Sequence, residues 1–233
     1  MNAGRSARER VRAELIREIT DIARRHLATD GAAGLSLRAV AREMGMVSSA
    51  IYRYFPSRDE LLTALILAGY TALAEAVEEA DAGYARDDHA GRWRAVCRAI
   101  RAWAIAHPHE YALLYGSPVP GYQAPQDTIT PATRIAAVYG RILADAQAAG
   151  ALHPPDICPP PPAAIRPDLA RVEEGVMPGV PDDVVARGLA VWTGVFGTVS
   201  FELFGQFANV ILDPAAHYDH LITCLGRYVG LPT

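Results

Sequence analysis

The stretch LSLRAVAREMGMVSSAIYRYFPSRDELLTALI, residues 35–66, decides how the chain is read. Ser36 is placed to cap a short helix whose Leu37, Val40, Ala41 and Met44 recur at the spacing of one helical face. Gly45 stops that helix, because glycine takes the left-handed conformation past a last turn at little cost. A second short helix is expected over residues 48–55, ended by Pro56. Two short helices joined by a glycine turn have the dimensions of a helix-turn-helix, which lays its second helix in the major groove of DNA. Ser57-Arg58-Asp59-Glu60 then spells a capping box, Ser57 accepting from the third helical N–H while Glu60 reaches back. It opens a long fourth helix that packs Leu61, Leu62, Leu65, Ala68, Leu73 and Ala76.

Any helical hairpin imitates a bare helix-turn-helix, so its surroundings give this one its weight. An aromatic-basic run, Tyr52-Arg53-Tyr54-Phe55, is followed by Pro-Ser-Arg at a helix start. Exposed N–H groups at a helix start hold phosphate, and Arg58 adds charge there. Residues 1–58 contain eleven Arg and six acids, a balance of +5, whereas the remainder has eleven Arg and twenty acids, a balance of −9. A basic head on an acidic body suits an end that meets a polyanion, although a solvated basic face would give the same count. Arg5, Arg8 and Arg10 read either as an arm for the minor groove or as a disordered tail.

Outward from this stretch the chain is helix after helix. Before it, Val11, Leu15, Ile19, Ile22, Ala23 and Leu27 mark one face of a helix over residues 8–29, closed by Asp30-Gly31. After it come helices over 92–106, a short turn over 110–115, 132–149, 182–211 and 215–229. His107-Pro108 breaks the first of these, and Pro-rich and Gly-rich residues 118–131 form a loop. Residues 154–181 hold nine of the 17 prolines and read as an irregular or polyproline excursion around a short helix at 167–174. Strand alternation and internal repeats are absent, so the expected fold is all-α. The expected domains are residues 1–56, a helix-turn-helix domain, and residues 57–233, a helical ligand-binding and dimerisation domain.

Composition sets the outer bounds. At 233 residues, 51% hydrophobic and 21% charged, with net charge −4, the chain is core-forming and not intrinsically disordered. No run reaches the roughly 18 uninterrupted apolar residues of a membrane span, and the charged start lacks a secretory h-region. Cys97, Cys158 and Cys224 are odd in number and far apart, which fits neither a disulfide framework nor zinc spacing. The expectation is a cytoplasmic protein with no metal, no cofactor and no membrane partner.

Residues 9–68, on the strength of the 35–66 motif, resemble the DNA-binding domain of the TetR (tetracycline repressor) family of bacterial transcription regulators. The resemblance implies an all-α homodimer whose first three helices bind a double-stranded operator. Its C-terminal helices would form the dimer interface and a pocket whose small-molecule effector releases the DNA. Carried over by position, Ser36 is the hydroxyl cap that holds a phosphate, and Ser48, Ser49 and Ala50 face bases. Tyr52 contacts phosphate, Arg53 and Tyr54 are its backbone-contacting neighbours, and Arg58 is the basic residue opening the fourth helix. Val47 stands where the family commonly has Ser or Thr, so either Ser48 takes over the cap or the helix start frays. Since Ser48, Ser49 and Ala50 are too small for a bidentate base contact, recognition would lean on DNA shape, a thymine methyl or Arg42.

In the C-terminal body, HPHEYALLYG (107–116) and WTGVFG (192–197), followed by Phe201-Glu202, resemble the family's Trp-His-Gly subtype. Trp192 and Gly197 match, and Phe196 replaces the His. Pocket walls are expected from Trp103, Tyr111, Tyr115, Tyr139, Trp192 and Phe196, since ligand pockets are apolar and aromatic. The same residues at helical spacing also read as plain core. Glu202 and Gln206 share a helix face and either pair across a dimer or point into the pocket. Val191, Val195, Val199 and residues 201–204 are expected in that dimer interface. Cys97, His107 and His109 lack the Asp or Ser partners of a catalytic set, and no enzymatic role is expected. The reading is a ligand-responsive repressor. The alternatives are a regulator controlled by a protein partner through the polyproline segment, or a helical scaffold with an incidental helix-turn-helix.

Overall fold

Apolar residues three and four apart need a helix to gather them on one side, and the computed structural model, which describes residues 3–156 and 158–232, forms helices where that spacing occurs. The chain forms α1 (Ala3–Gly34), α2 (Leu37–Glu43), α3 (Ser48–Ile51), α4 (Arg58–Ala82) and α5 (His89–Ala106). It continues with α6 (Pro108–Tyr115), α7 (Ile129–Ala148), α8 (Arg166–Val176), α9 (Asp182–Leu203) and α10 (Pro214–Val229). No strand occurs among the described residues, and the fold is all-α as the periodicity requires. Two compact units result, one from residues up to Tyr70 with His107–Ile129, the other from Thr71–Ala106 with everything from Thr130 onward.

In the first unit, Ile19, Ile22, Ala23, Leu37, Val40, Ala41, Ile51, Phe55, Leu61 and Leu62 form one buried cluster from α1 to α4. A fully buried side chain of this size contributes about 1.5–3 kcal/mol. Gly31, at φ 67 and ψ 174, breaks the helical run of α1 where Asp30-Gly31 predicts its end. At its other end α1 begins at Ala3, so Arg8 and Arg10 ride on a helix rather than an extended arm. The side chain of Arg5 lies outside the described residues. Segment 107–129 is tied in by an ion pair between Arg24 and Glu110, by the Thr63 and Tyr122 hydroxyls 2.9 Å apart, and by Leu114 against Gly69.

The second unit packs α5, α7, α9 and α10 through Trp93, Val96, Ile100, Ile135, Ile142, Val195 and Ile222. Two of its buried polar side chains are satisfied across elements: Trp93 Nε1 donates to the Ile222 carbonyl at 2.7 Å, and the Tyr218 hydroxyl to the Cys97 carbonyl at 2.9 Å. Arg92 is 0% exposed. It donates to both Asp81 oxygens at 2.7 and 3.3 Å, to Asp145 at 2.7 Å and to the Arg86 carbonyl at 3.0 Å. The Pro-rich stretch is anchored: Arg187 donates to the Pro155 carbonyl at 2.7 Å, and Leu169, Met177 and Val180 are buried.

Three expectations are corrected. The helix expected over 182–211 stops at Leu203, because Gly205 takes a left-handed φ of 83 and starts a run of turns. Val191, Val195 and Val199 are at most 3% exposed, so they belong to the chain's own core and leave no surface for a second copy. The second helix of the motif is one turn, Ser48–Ile51, although the Phe55 N–H still reaches the Ile51 carbonyl at 3.0 Å. Helices α4 and α9 reach the length and hydropathy of a membrane span, and both supply buried core residues here.

Candidate nucleic-acid interface and effector cavity

The α2–α3 turn is fixed by its own backbone. The Gly45 N–H donates to the Arg42 carbonyl at 3.1 Å and the Met46 N–H to the Ala41 carbonyl at 2.9 Å, a complete Schellman closure. It needs φ 68 at residue 45, which only a glycine adopts cheaply. Upstream, the Ser36 hydroxyl accepts from the Ala39 N–H at a long 3.5 Å, leaving its own proton to donate. Downstream, the Ser57 hydroxyl accepts from the Glu60 N–H at 3.2 Å, the capping contact read from the sequence. Val47, 72% exposed, occupies the cap position of α3 with no side-chain hydrogen bond; Ser48 is the first helical residue and does not replace it.

This framework sorts the motif into two faces. Ile51 and Phe55 are buried, whereas Arg42, Ser48, Ser49, Tyr52 and Arg53 are exposed and Ala50 is partly exposed. Tyr54 is half-buried beneath Arg12, whose guanidinium lies 5.2 Å from the ring centre and donates to the Arg53 carbonyl at 3.2 Å. Arg12 does not stand out in the sequence among the arginines of α1; only the packing singles it out. Arg58 turns onto the end of α1, donating to the Ala32 and Ala33 carbonyls at 2.6 and 3.4 Å. Glu43 joins α2 to α1 by accepting from Arg25 at 2.8 Å and bonding His26 at 2.7 Å. Those hydrogen bonds, Arg25 first and then His26, hold its carboxyl below the usual range.

In the second unit, Trp93, Val96, Cys97 and Ile100 of α5, Ile135 and Tyr139 of α7, and Val191, Trp192 and Val195 of α9 line a cavity. The space left between them is about 10 Å³, room for one water at most. Of the predicted walls, Tyr139 and Trp192 line it, their rings 6.4 Å apart, and Phe196 stacks on Trp192 at 4.6 Å. Trp103 is buried but not among the lining residues. Tyr111 and Tyr115 belong to the first unit, where they stack at 5.0 Å and Tyr115 meets Tyr70 edge-on at 6.0 Å. Burial pushes the Tyr139 hydroxyl and the Cys97 thiol well up, so the cavity carries no charge. A buried, protonated Cys97 is also no nucleophile.

Glu202 is engaged within its own unit: Arg101 donates to its two oxygens at 2.8 and 2.6 Å. Gln206 lies beyond the end of α9, so the two do not share a helix face. Among the described residues, no group of three or more His, Cys, Asp or Glu is placed to hold a metal ion.

Two family models match the chain. Residues 19–65 match the family model for bacterial regulatory proteins of the tetR family, and residues 93–225 that for the tetracyclin repressor-like C-terminal domain. The chain is 43% identical over 217 residues to the HTH-type transcriptional regulator Rv1816 of Mycobacterium tuberculosis, covering 92% of this chain and 90% of that one. An HTH-type transcriptional regulator of Mycobacterium bovis, Mb1846, matches equally. Among solved structures, the regulatory protein SCO4313 superposes with a TM-score of 0.75 at 37% identity, covering 93% of this chain and 97% of that one. A protein from Rhodococcus sp. RHA1 does so with a TM-score of 0.68 at 25% identity, covering 94% and 96%. With its helix-turn-helix matched at one end and its helical body at the other, the chain belongs to the TetR family of DNA-binding transcription regulators.

Proposed function

We propose that this regulator is a homodimeric repressor that binds an inverted-repeat operator and is released by a small, neutral, apolar and planar molecule. One observation carries the DNA half: Ser48, Ser49, Tyr52 and Arg53 point outward from a turn that Ile51 and Phe55 pin to the core. Ser48, Ser49 and Ala50 face the bases with Arg42 beside them. Tyr52, Arg53 and Tyr54 follow the sugar-phosphate backbone, and the Ser36 proton and the remaining N–H groups of Arg58 hold phosphates. The second copy docks on the exposed apolar face that Leu189, Phe201 and Phe204 present around α9.

The effector half rests on the uncharged aromatic cavity between α5, α7 and α9. Its small volume requires a guest to part those helices, and stacking on Trp93, Tyr139 and Trp192 supplies the compensation. The test is a screen of neutral aromatic compounds, read by tryptophan fluorescence and by release of a selected operator. An effector should quench fluorescence and lower operator affinity by roughly 5–150-fold, and Trp192→Ala should lose both responses. An effector that works unchanged on Trp192→Ala places the pocket elsewhere. A reporter behind the operator should be silenced until the effector is added; activation instead would overturn the repressor reading.

A further inference from the structure

The N-terminal turns of α1 form a recess with the residue that follows the recognition helix. Ala7, Arg8, Val11 and Arg12 on one side and Tyr54 on the other enclose an open-faced space of about 320 Å³. Positions 7, 8, 11 and 12 fall on one helical face, and both of the charged ones are arginine. Glu9 and Glu14, the acids of this part of α1, are not among its walls.

Arg12 is held in place before any ligand arrives. Its guanidinium lies over the Tyr54 ring at 5.2 Å, and one of its N–H groups is spent on the Arg53 carbonyl at 3.2 Å. A guanidinium has five N–H donors, so the others remain for an acceptor in the recess. Stacking on an aromatic face removes part of the ordering cost of binding. Val11, 55% exposed in the same wall, offers an apolar surface such as a sugar edge would meet. Two cations, an apolar wall and an open mouth next to Arg53 suit a phosphodiester better than a free small anion.

We propose that Arg8 and Arg12, with Tyr54 as platform, form a second phosphodiester site that holds the DNA backbone flanking each half-site. This rests on the operator-binding reading and extends its footprint from α2–α3 to the first turns of α1. Full-length Arg8→Ala, Arg12→Ala and Arg12→Lys are titrated at several salt concentrations. The probes are the selected operator with flanks of about ten base pairs, the same operator trimmed to its half-sites, and a random duplex as long as the flanked one. On the flanked operator and the random duplex, each Ala variant should flatten the slope of log K against log salt by about 0.9 for each phosphate lost, and Arg12→Lys should keep most of it. On the trimmed duplex the wild type and all variants should bind alike. A loss by Arg12→Ala that persists on the trimmed duplex shows that Arg12 only props Tyr54 and overturns the proposal. Unchanged slopes on the flanked duplex overturn it as well. If no operator can be selected, the operator-binding reading fails, and the random duplex still decides on the phosphate site.

Discussion

Replacing Arg92 by Met removes the cation from a buried ionic cluster that joins α4, α5 and α7. Arg92 is 0% exposed, and Asp81, which takes two of its hydrogen bonds, is 8% exposed. Asp145 keeps Arg86 at 2.9 Å after the substitution, whereas Asp81 loses its bidentate partner. Breaking a buried pair while leaving one charge uncompensated costs about 3–5 kcal/mol. At about 2–4 °C per kcal/mol for a chain of this size, the melting point should fall by roughly 6–20 °C. Circular dichroism against temperature and urea measures it. Adding Asp81→Leu to Arg92→Met should recover most of the loss, because a shape-filling apolar pair avoids the desolvation penalty. A cost below about 1 kcal/mol for Arg92→Met, of the size seen for surface pairs, would refute the argument that burial makes this cluster matter.

Gly45→Ala forces a Cβ onto a residue at φ 68, and a cost of about 1–2 kcal/mol in stability, with weaker DNA binding, should follow. The Glu43 contact has a pH signature. Its carboxyl is lowered by Arg25 and then His26, so its contribution is complete above the ordinary glutamate value of about 4.3 and fades as pH falls through the lowered one. Urea midpoints of wild type and Glu43→Gln should therefore converge on acidification, and a gap that widened would contradict that sign. For assembly, Phe201→Arg should yield monomers by light scattering, since Phe201 is 52% exposed in a single copy. A stable Phe201→Arg dimer would move the interface off this face.

Local signals made the reading head legible. The Ser36 and Ser57 caps, the Gly45 stop and the apolar positions from Ile19 to Leu65 all act within a few residues along the chain, and each lies where the sequence puts it. What failed depends on partners far along it. Periodicity marks Val191, Val195 and Val199 as apolar without saying whether α5 and α7 or a second copy covers them. Glu202 finds Arg101 across 101 positions, and Arg12 finds Arg53 across 41. No local pattern announces such pairs. The cavity is half legible for the same reason: Tyr139 and Trp192, expected as walls, line it, but Tyr111 and Tyr115 follow His107-Pro108 into the other unit.

The outward face of α2 and α3 is proposed as the surface that reads DNA. Its most direct test is the set of duplexes that the full-length protein retains from a random pool. Enrichment of an inverted repeat is expected, with half-site centres about one helical turn, 10–10.5 base pairs, or slightly more apart. Ser49→Arg should shift the bases enriched within each half-site and leave the spacing unchanged. A pool that stays random, or a motif indifferent to every substitution at Ser48, Ser49 and Tyr52, would contradict it.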